Sequence, residues 1–167
     1  MKARSEDRPL YAVTTTAPRP DADEDTTIAA ALAILARRLR TPGAALTTPT
    51  SVKDYLTLHL AQEEKEVFSI LWMDSQNRVI AHDDLFFGTL TQTSVYPREV
   101  VKRALAHNAG AAILSHNHPS GFCDPSLADQ AITRELKTAL GYVDVRVLDH
   151  IIVAGTSTAS FAERGLI

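Results

Sequence analysis

The stretch SHNHPSGFCDPSLAD, residues 115–129, gathers two histidines, the chain's one cysteine and two aspartates. His116 and His118 stand two apart at the end of an apolar run, AAILSH, that reads as a short buried strand. Alternate strand residues face the same way, so both imidazoles can converge on one point. Asp129 falls in the first turn of the next helical pattern, and the Pro-Ser-Gly turn is suited to bring that helix back over the strand end. Two imidazoles and a carboxylate, with a fourth position open, are the ligand set of a catalytic zinc. Such an ion lowers the pKa of water to about 7 and makes hydrolysis the leading chemistry. The same residues also fit a plain helix start, with Asp124-Pro125 as N-cap and first helical residue, or Ser126 and Asp129 as a capping pair. Spacing alone leaves both readings open.

Other candidates carry weaker signals. Cys123 lies five residues after His118, in a loop that should pass near the metal, and a thiolate there would close the site; the expected reading is a passive loop cysteine. His150, inside the β-branched LDHIIV, reads as a hydrogen-bonded core histidine without a metal role. His59, His82 and His107 fall on a helix face, a strand end and a helix end and are expected to be solvated, as are the basic residues Arg98, Lys102, Arg103, Arg134 and Lys137.

The elements that must position this loop are legible in the hydrophobic pattern. TTIAAALAILARRLR places Ile28, Leu32, Leu35 and Leu39 at helical spacing and stops at TPG. TSVKDYLTLHLAQ reads as a second helix, capped at Ser51 with Asp54 three residues on, that buries Val52, Tyr55, Leu56 and Leu60. EVFSILWMD turns at SQN and returns as RVIAHDD, a hairpin. PREVVKRALAHNAG predicts a helix opened by Pro97 and closed by Gly110. SLADQAITRELKTALG predicts one with Ala128, Ile132, Leu136 and Ala139 on its buried stripe, ending at Gly141, and VDVRVLDHIIVAG predicts a core strand. Interleaved strands and helices imply a mixed α/β, or α+β, domain with helices against a mixed sheet.

Composition bounds the partners. The 167 residues are 45% hydrophobic, enough for one compact domain with an appended segment. Seventeen Lys and Arg against twenty Asp and Glu give a net charge of −3, so no basic field draws the chain to phosphate backbones and tight nucleic-acid binding is not expected. One cysteine excludes an internal disulfide and suits a reducing compartment. No signal-peptide core or membrane-length apolar run occurs, so a cytoplasmic protein is expected. Residues 1–25, with three prolines, a threonine cluster and DADED, read as a disordered lead-in.

The full pattern His116-x-His118-Pro119, six residues, then Ser126-x-x-Asp129, resembles the JAMM signature of the JAB/MPN metalloproteases. VYPREVVKRALAHNAGAAILSHNHPSG, PSLADQAITRELK, VRVLDHIIV and the terminal FAERGLI are similar to the bacterial RadC subfamily from about Glu66 to Ile167. The resemblance implies an MPN fold, a cytidine-deaminase-like mixed sheet flanked by helices, over 48–167, with residues 26–47 as a connector helix. The helix-hairpin-helix domain of longer members would be lacking, as in short relatives among mobile-element proteins. It further implies Zn2+ held by His116, His118 and Asp129, Ser126 as the side chain that stabilises the oxyanion, and a glutamate ahead of the first long strand as general base. Among Glu63, Glu64 and Glu66, Glu66 fits best because it directly precedes Val67 and Phe68. The activity implied is zinc-dependent hydrolysis of a peptide or isopeptide bond in a protein or peptide substrate. The alternative is a DNA-associated accessory role in repair or mobile-element biology without hydrolysis; a phosphodiesterase and a non-catalytic scaffold are further readings.

Overall fold

The computed structural model describes residues 22–40, 48–88 and 94–167. Along them run α1 (Ala22–Arg40), α2 (Pro49–Leu60), β1 (Val67–Met73), β2 (Val79–Phe87), α3 (Pro97–Ala106), β3 (Ala111–Asn117), α4 (Leu127–Gly141), β4 (Arg146–Ala154) and β5 (Ser157–Ser160). The strands form one mixed sheet in the order β2-β1-β3-β4-β5. β1 is antiparallel to both β2 and β3, β4 runs parallel to β3, and β5 returns antiparallel to β4. Helix α4 makes the crossover that the parallel pair requires.

Every residue of β1 and β3 is buried. Both strands are covered on two faces, which is why their sequences are continuous apolar runs rather than alternating ones. On one face Val67, Leu71 and Met73 meet Val52, Tyr55, Leu56 and Leu60 of α2, the four residues its periodicity marks for burial. On the other, Phe68, Ile70 and Trp72 meet Val100 and Ala104 of α3 and Leu136 and Leu140 of α4. Truncating a fully buried side chain such as Leu56 to alanine costs about 2–5 kcal/mol. The hairpin turn between β1 and β2 is organised by Asp74, whose Oδ1 accepts from the backbone N–H of Gln76 and Arg78 at 2.9 and 3.0 Å, while Asn77 takes the left-handed conformation at φ 60°.

The structure shifts several boundaries. Helix α1 begins at Ala22, inside the segment read as lead-in, because Asp23, Glu24 and Asp25 form an acidic first turn that favours the helix N-terminus. Residues 1–21 of the lead-in and 41–47 of the connector lie outside the described residues, as does the packing of Leu35 and Leu39. The cap of α2 is Thr48, not Ser51: its side chain accepts from the Ser51 N–H at 3.2 Å, and Pro49 takes the first helical position. α3 ends at Ala106 rather than at Gly110, with Asn108 taking the left-handed turn at φ 50°. Gly110 serves a close approach instead, since a Cβ there would sit 3.1 Å from the Ser75 backbone nitrogen. α4 buries Thr133, Leu136 and Leu140, whereas Ala128 is exposed and Ile132 and Ala139 are only half-buried. The stripe is rotated because Asp129 and Thr133, both polar, face the end of β3. β5, a short polar edge strand, carries no apolar signal and has no counterpart in the sequence reading.

Candidate metal centre

The site is built at the carboxyl end of β3. His116 is the penultimate strand residue and 1% exposed. His118 follows just beyond, its N–H donating to the Val153 carbonyl at 2.8 Å and so extending the β3–β4 ladder. The chain then turns through Gly121, left-handed at φ 81°. It enters α4 by a capping box in which Asp129 N–H donates to Ser126 Oγ at 3.1 Å and Ser126 N–H to Asp129 Oδ2 at 2.8 Å. The box fixes the Asp129 carboxylate against both imidazoles. His116 Nε2 lies 2.9 Å from His118 Nε2, and Asp129 oxygens stand 3.3 Å from the first and 3.6 Å from the second. Capping and convergence, alternatives in the sequence, therefore coexist: the same residues that start the helix complete the group.

Hydrogen bonds behind the imidazoles fix their tautomers. His118 Nδ1 lies 2.7 Å from the Phe122 carbonyl, which only accepts, so Nδ1 carries the proton and Nε2 the lone pair. Behind His116 runs a longer chain. Thr133 Oγ1 donates its one proton to the Asp129 carbonyl at 2.5 Å and so accepts from His150 Nδ1 at 2.6 Å; His150 Nε2 then accepts from His116 Nδ1 at 2.8 Å. Both Nε2 lone pairs thus point at each other and at a carboxylate, an arrangement that calls for a cation. Without one the cation is a proton: the hydrogen bond that His118 donates to Asp129 raises the His118 pKa against the effect of burial, aided by the Phe122 carbonyl and by the charges of Asp129 and Glu66. Burial by itself would raise the Asp129 carboxyl, yet the hydrogen bonds from His116 and His118 hold it far below the usual carboxylate range. Burial, then the charge of His116, keeps His150 neutral. Imidazole with carboxylate suits zinc and its neighbours better than magnesium or calcium.

Glu66 is half-buried and immediately precedes β1. In the β1–β3 register Phe68 faces His116, and the charge of Glu66, just ahead of β1, acts on His118. The Glu66 backbone is held from the other side by Asn117, a residue the sequence reading passed over. Asn117 Oδ1 accepts from the Val67 N–H at 2.7 Å, and its Nδ2 donates to the carbonyls of Glu63 at 3.1 Å and Lys65 at 2.9 Å. The alternation that pairs His116 with His118 sends Asn117 to the opposite face, which is the signal that could have found it. Glu63 and Glu64 are exposed and line a cleft of about 490 Å³ beside His118, Pro119, Gly121 and Gly155. Ser126 is exposed and serves as the cap of α4. Cys123 packs against Ile152, Ala159 and Phe161 and is not among the converging ligand atoms.

The remaining histidines are half-buried and paired rather than free in solvent. His107 Nε2 meets Asp83 at 2.8 Å, beside Arg103, which grips the same carboxylate through two nitrogens at 2.6 and 2.9 Å. His59 Nε2 meets Asp84 at 2.9 Å, and His82 Nδ1 meets the Tyr55 hydroxyl at 2.8 Å. Each pairs side chains of a helix end with side chains of β2, so contact with an aspartate or a phenol replaces much of the water.

A five-stranded mixed sheet flanked by helices, with this group at the end of its central parallel strand, defines a JAB/MPN-type domain. Residues 46–166 match the family model of the RadC-like JAB domain, and the chain belongs to that family. Its relatives include UPF0758 proteins of Thiobacillus denitrificans, 63% identical over 123 residues, and of Dechloromonas aromatica, 63% identical over 122 residues. These alignments cover 74% and 72% of this chain and 55% and 54% of the relatives, so the chain spans about half the length of the curated relatives it matches. Among the described residues no helix is long and apolar enough to cross a membrane.

Proposed function

We propose that the chain is a zinc-dependent hydrolase of the JAMM type, cleaving a peptide or isopeptide bond of a protein or peptide substrate in the cytoplasm. The observation that carries this reading is the convergence of His116 Nε2, His118 Nε2 and the Asp129 carboxylate, with the Glu66 charge acting on His118. Zinc held by His116, His118 and Asp129 would supply a Lewis acid and make water nucleophilic near neutral pH. The protein's own groups do the rest. Glu66 takes the proton of the attacking water on its carboxylate and returns it to the leaving amine. Ser126 donates its O–H to the carbonyl oxygen as negative charge develops there, while its Oγ goes on accepting from Asp129 N–H. His150 and Thr133 keep His116 in its ligating tautomer, and Asn117 holds the backbone that carries Glu66. The cleft beside His118 offers an approach for an extended chain.

The test uses zinc-loaded protein and a library of fluorescence-quenched peptides and ubiquitin-like isopeptides. Cleavage should appear with the wild type, vanish in Glu66→Gln while fold and zinc are retained, and persist in Glu63→Gln and Glu64→Gln. Cleavage that survives Glu66→Gln but not Glu64→Gln moves the base by two residues. Cleavage that survives all three substitutions removes the JAMM mechanism.

A further inference from the structure

A second group of ligating side chains lies on the other face of the sheet. His82 pairs with Leu71 in the β1–β2 register, and Leu71 belongs to the core beneath α2. His116 instead stacks on Phe68, whose core lies beneath α3 and α4. The sheet therefore separates the two groups, and they do not form one binuclear centre. His59 comes from the last turn of α2, while His82 and Asp84, two apart on β2, present their side chains to it together. His59 Nε2 is 2.9 Å from both Asp84 oxygens, His82 Nε2 is 3.8 Å from Asp84 Oδ1, and the two rings meet edge to face with centroids 4.5 Å apart. One ligand atom from each residue lies within 4.8 Å of the other two.

The His59–Asp84 ion pair by itself does not account for His82. That side chain is only 11% exposed, its Nδ1 is engaged by Tyr55, and its Nε2 is wholly covered with no hydrogen-bond partner among the described residues. A covered ring nitrogen that faces another imidazole and a carboxylate, and is bonded to neither, is placed to ligate a cation shared with them. The spacings of 2.9 and 3.8 Å bracket the roughly 3.3 Å between ligands of a tetrahedral ion with bonds of about 2.0–2.1 Å.

We propose that His59, His82 and Asp84 form a second metal site, for a divalent ion of the zinc class, which clamps the last turn of α2 to the edge strand β2. Two imidazoles and one carboxylate select zinc, cobalt, nickel or copper over magnesium and calcium. The Tyr55 hydroxyl, hydrogen-bonded to the far nitrogen of His82, orients the ring as outer partners of metal-bound histidines do. The clamp sits at the end of the helix that leads into the segment carrying Glu66. It is a structural site in this reading, and it does not depend on the function proposed for the His116 group.

The experiment is equilibrium dialysis of the full chain against zinc, followed by metal analysis, with cobalt as a spectroscopic substitute. The wild type should bind about two equivalents. His116→Ala/His118→Ala should keep about one, with a cobalt d–d spectrum of a nitrogen-rich tetrahedral site, and adding His82→Ala should remove it. If that triple variant fails to fold, His59→Gln alone, at a partly exposed helix position, should lower the wild-type count by one. A folded double variant without stoichiometric zinc, or an undiminished count in folded His59→Gln, would overturn the second site. Loss of the His116 site with retention of this one would instead count only against the proposed hydrolase.

Discussion

Replacing His150 by phenylalanine isolates the hydrogen bond behind His116. The new ring fits the space, because His150 already stacks on Phe161 at 4.7 Å and meets Phe68 edge-on at 5.6 Å. Thr133 keeps its bond to the Asp129 carbonyl, so the main loss is the acceptor for His116 Nδ1–H, 2.8 Å away and buried. An orphaned buried donor costs about 1–3 kcal/mol, offset in part by removing a desolvated polar ring; the fold should survive with a modest fall in Tm. Zinc affinity should fall more tellingly. Outer partners of ligating histidines contribute about 10–100-fold, or roughly 1.4–2.8 kcal/mol. Thr133→Val leaves the His150 ring in place but frees its tautomer, and should cost less than His150→Phe. The assay is competition with a chromophoric chelator, with His59→Gln in every protein so that the His116 site alone is read. A folded His150→Phe protein with unchanged zinc affinity would refute the hydrogen-bond chain as a support of the site.

Zinc binding at the His116 site should weaken as pH falls. Asp129 raises the His118 pKa above its ordinary value in the metal-free chain, so proton competition should set in above about 6.5; affinity flat between about pH 7.5 and 5.5 would contradict the assignment. Asp83 is held down to about 2 although burial opposes this, by hydrogen bonds from Arg103, His107 and Trp72. Its depressed pKa stabilises the fold above the unfolded value, and this contribution is lost as pH drops from about 4 through 2. Asp83→Asn should therefore lower urea stability near neutral pH and flatten its acid dependence. Asn117→Ala removes three hydrogen bonds from the segment leading to Glu66 and should slow peptide cleavage while zinc content stays unchanged; full activity in that variant would show that Glu66 needs no such support.

Local pattern made part of this molecule legible and left part dark for identifiable reasons. β1 and β3 read as apolar runs because each is covered on both faces. The His116–His118 pair is a consequence of strand alternation alone, and Asp129 followed from the turn that brings α4 back. What escaped depends on pairings far apart in the chain. His150 touches His116 only because β4 lies parallel to β3 with Leu114 opposite His150, a register no single segment encodes. His82 and His59 meet because Tyr55 and His59 of α2 reach His82 and Asp84 on β2, and each alone has the appearance of a surface histidine. The buried stripe of α4 departs from its apolar pattern because this helix buries a threonine and half-buries an aspartate that face the site. Thr48, Pro49, Thr50 and Ser51 offer several capping residues in a row, and the proline decides among them by preferring the first helical position.

The central claim is an open zinc site at the end of β3, and anomalous diffraction across the zinc absorption edge, from crystals of the chain purified without chelator, tests it most directly. The account predicts a zinc peak within about 2.0–2.2 Å of His116 Nε2, His118 Nε2 and an Asp129 oxygen, with no fourth protein ligand and Glu66 facing the open side. No peak at this position in zinc-replete crystals, or a peak closed by Cys123 Sγ, would contradict it.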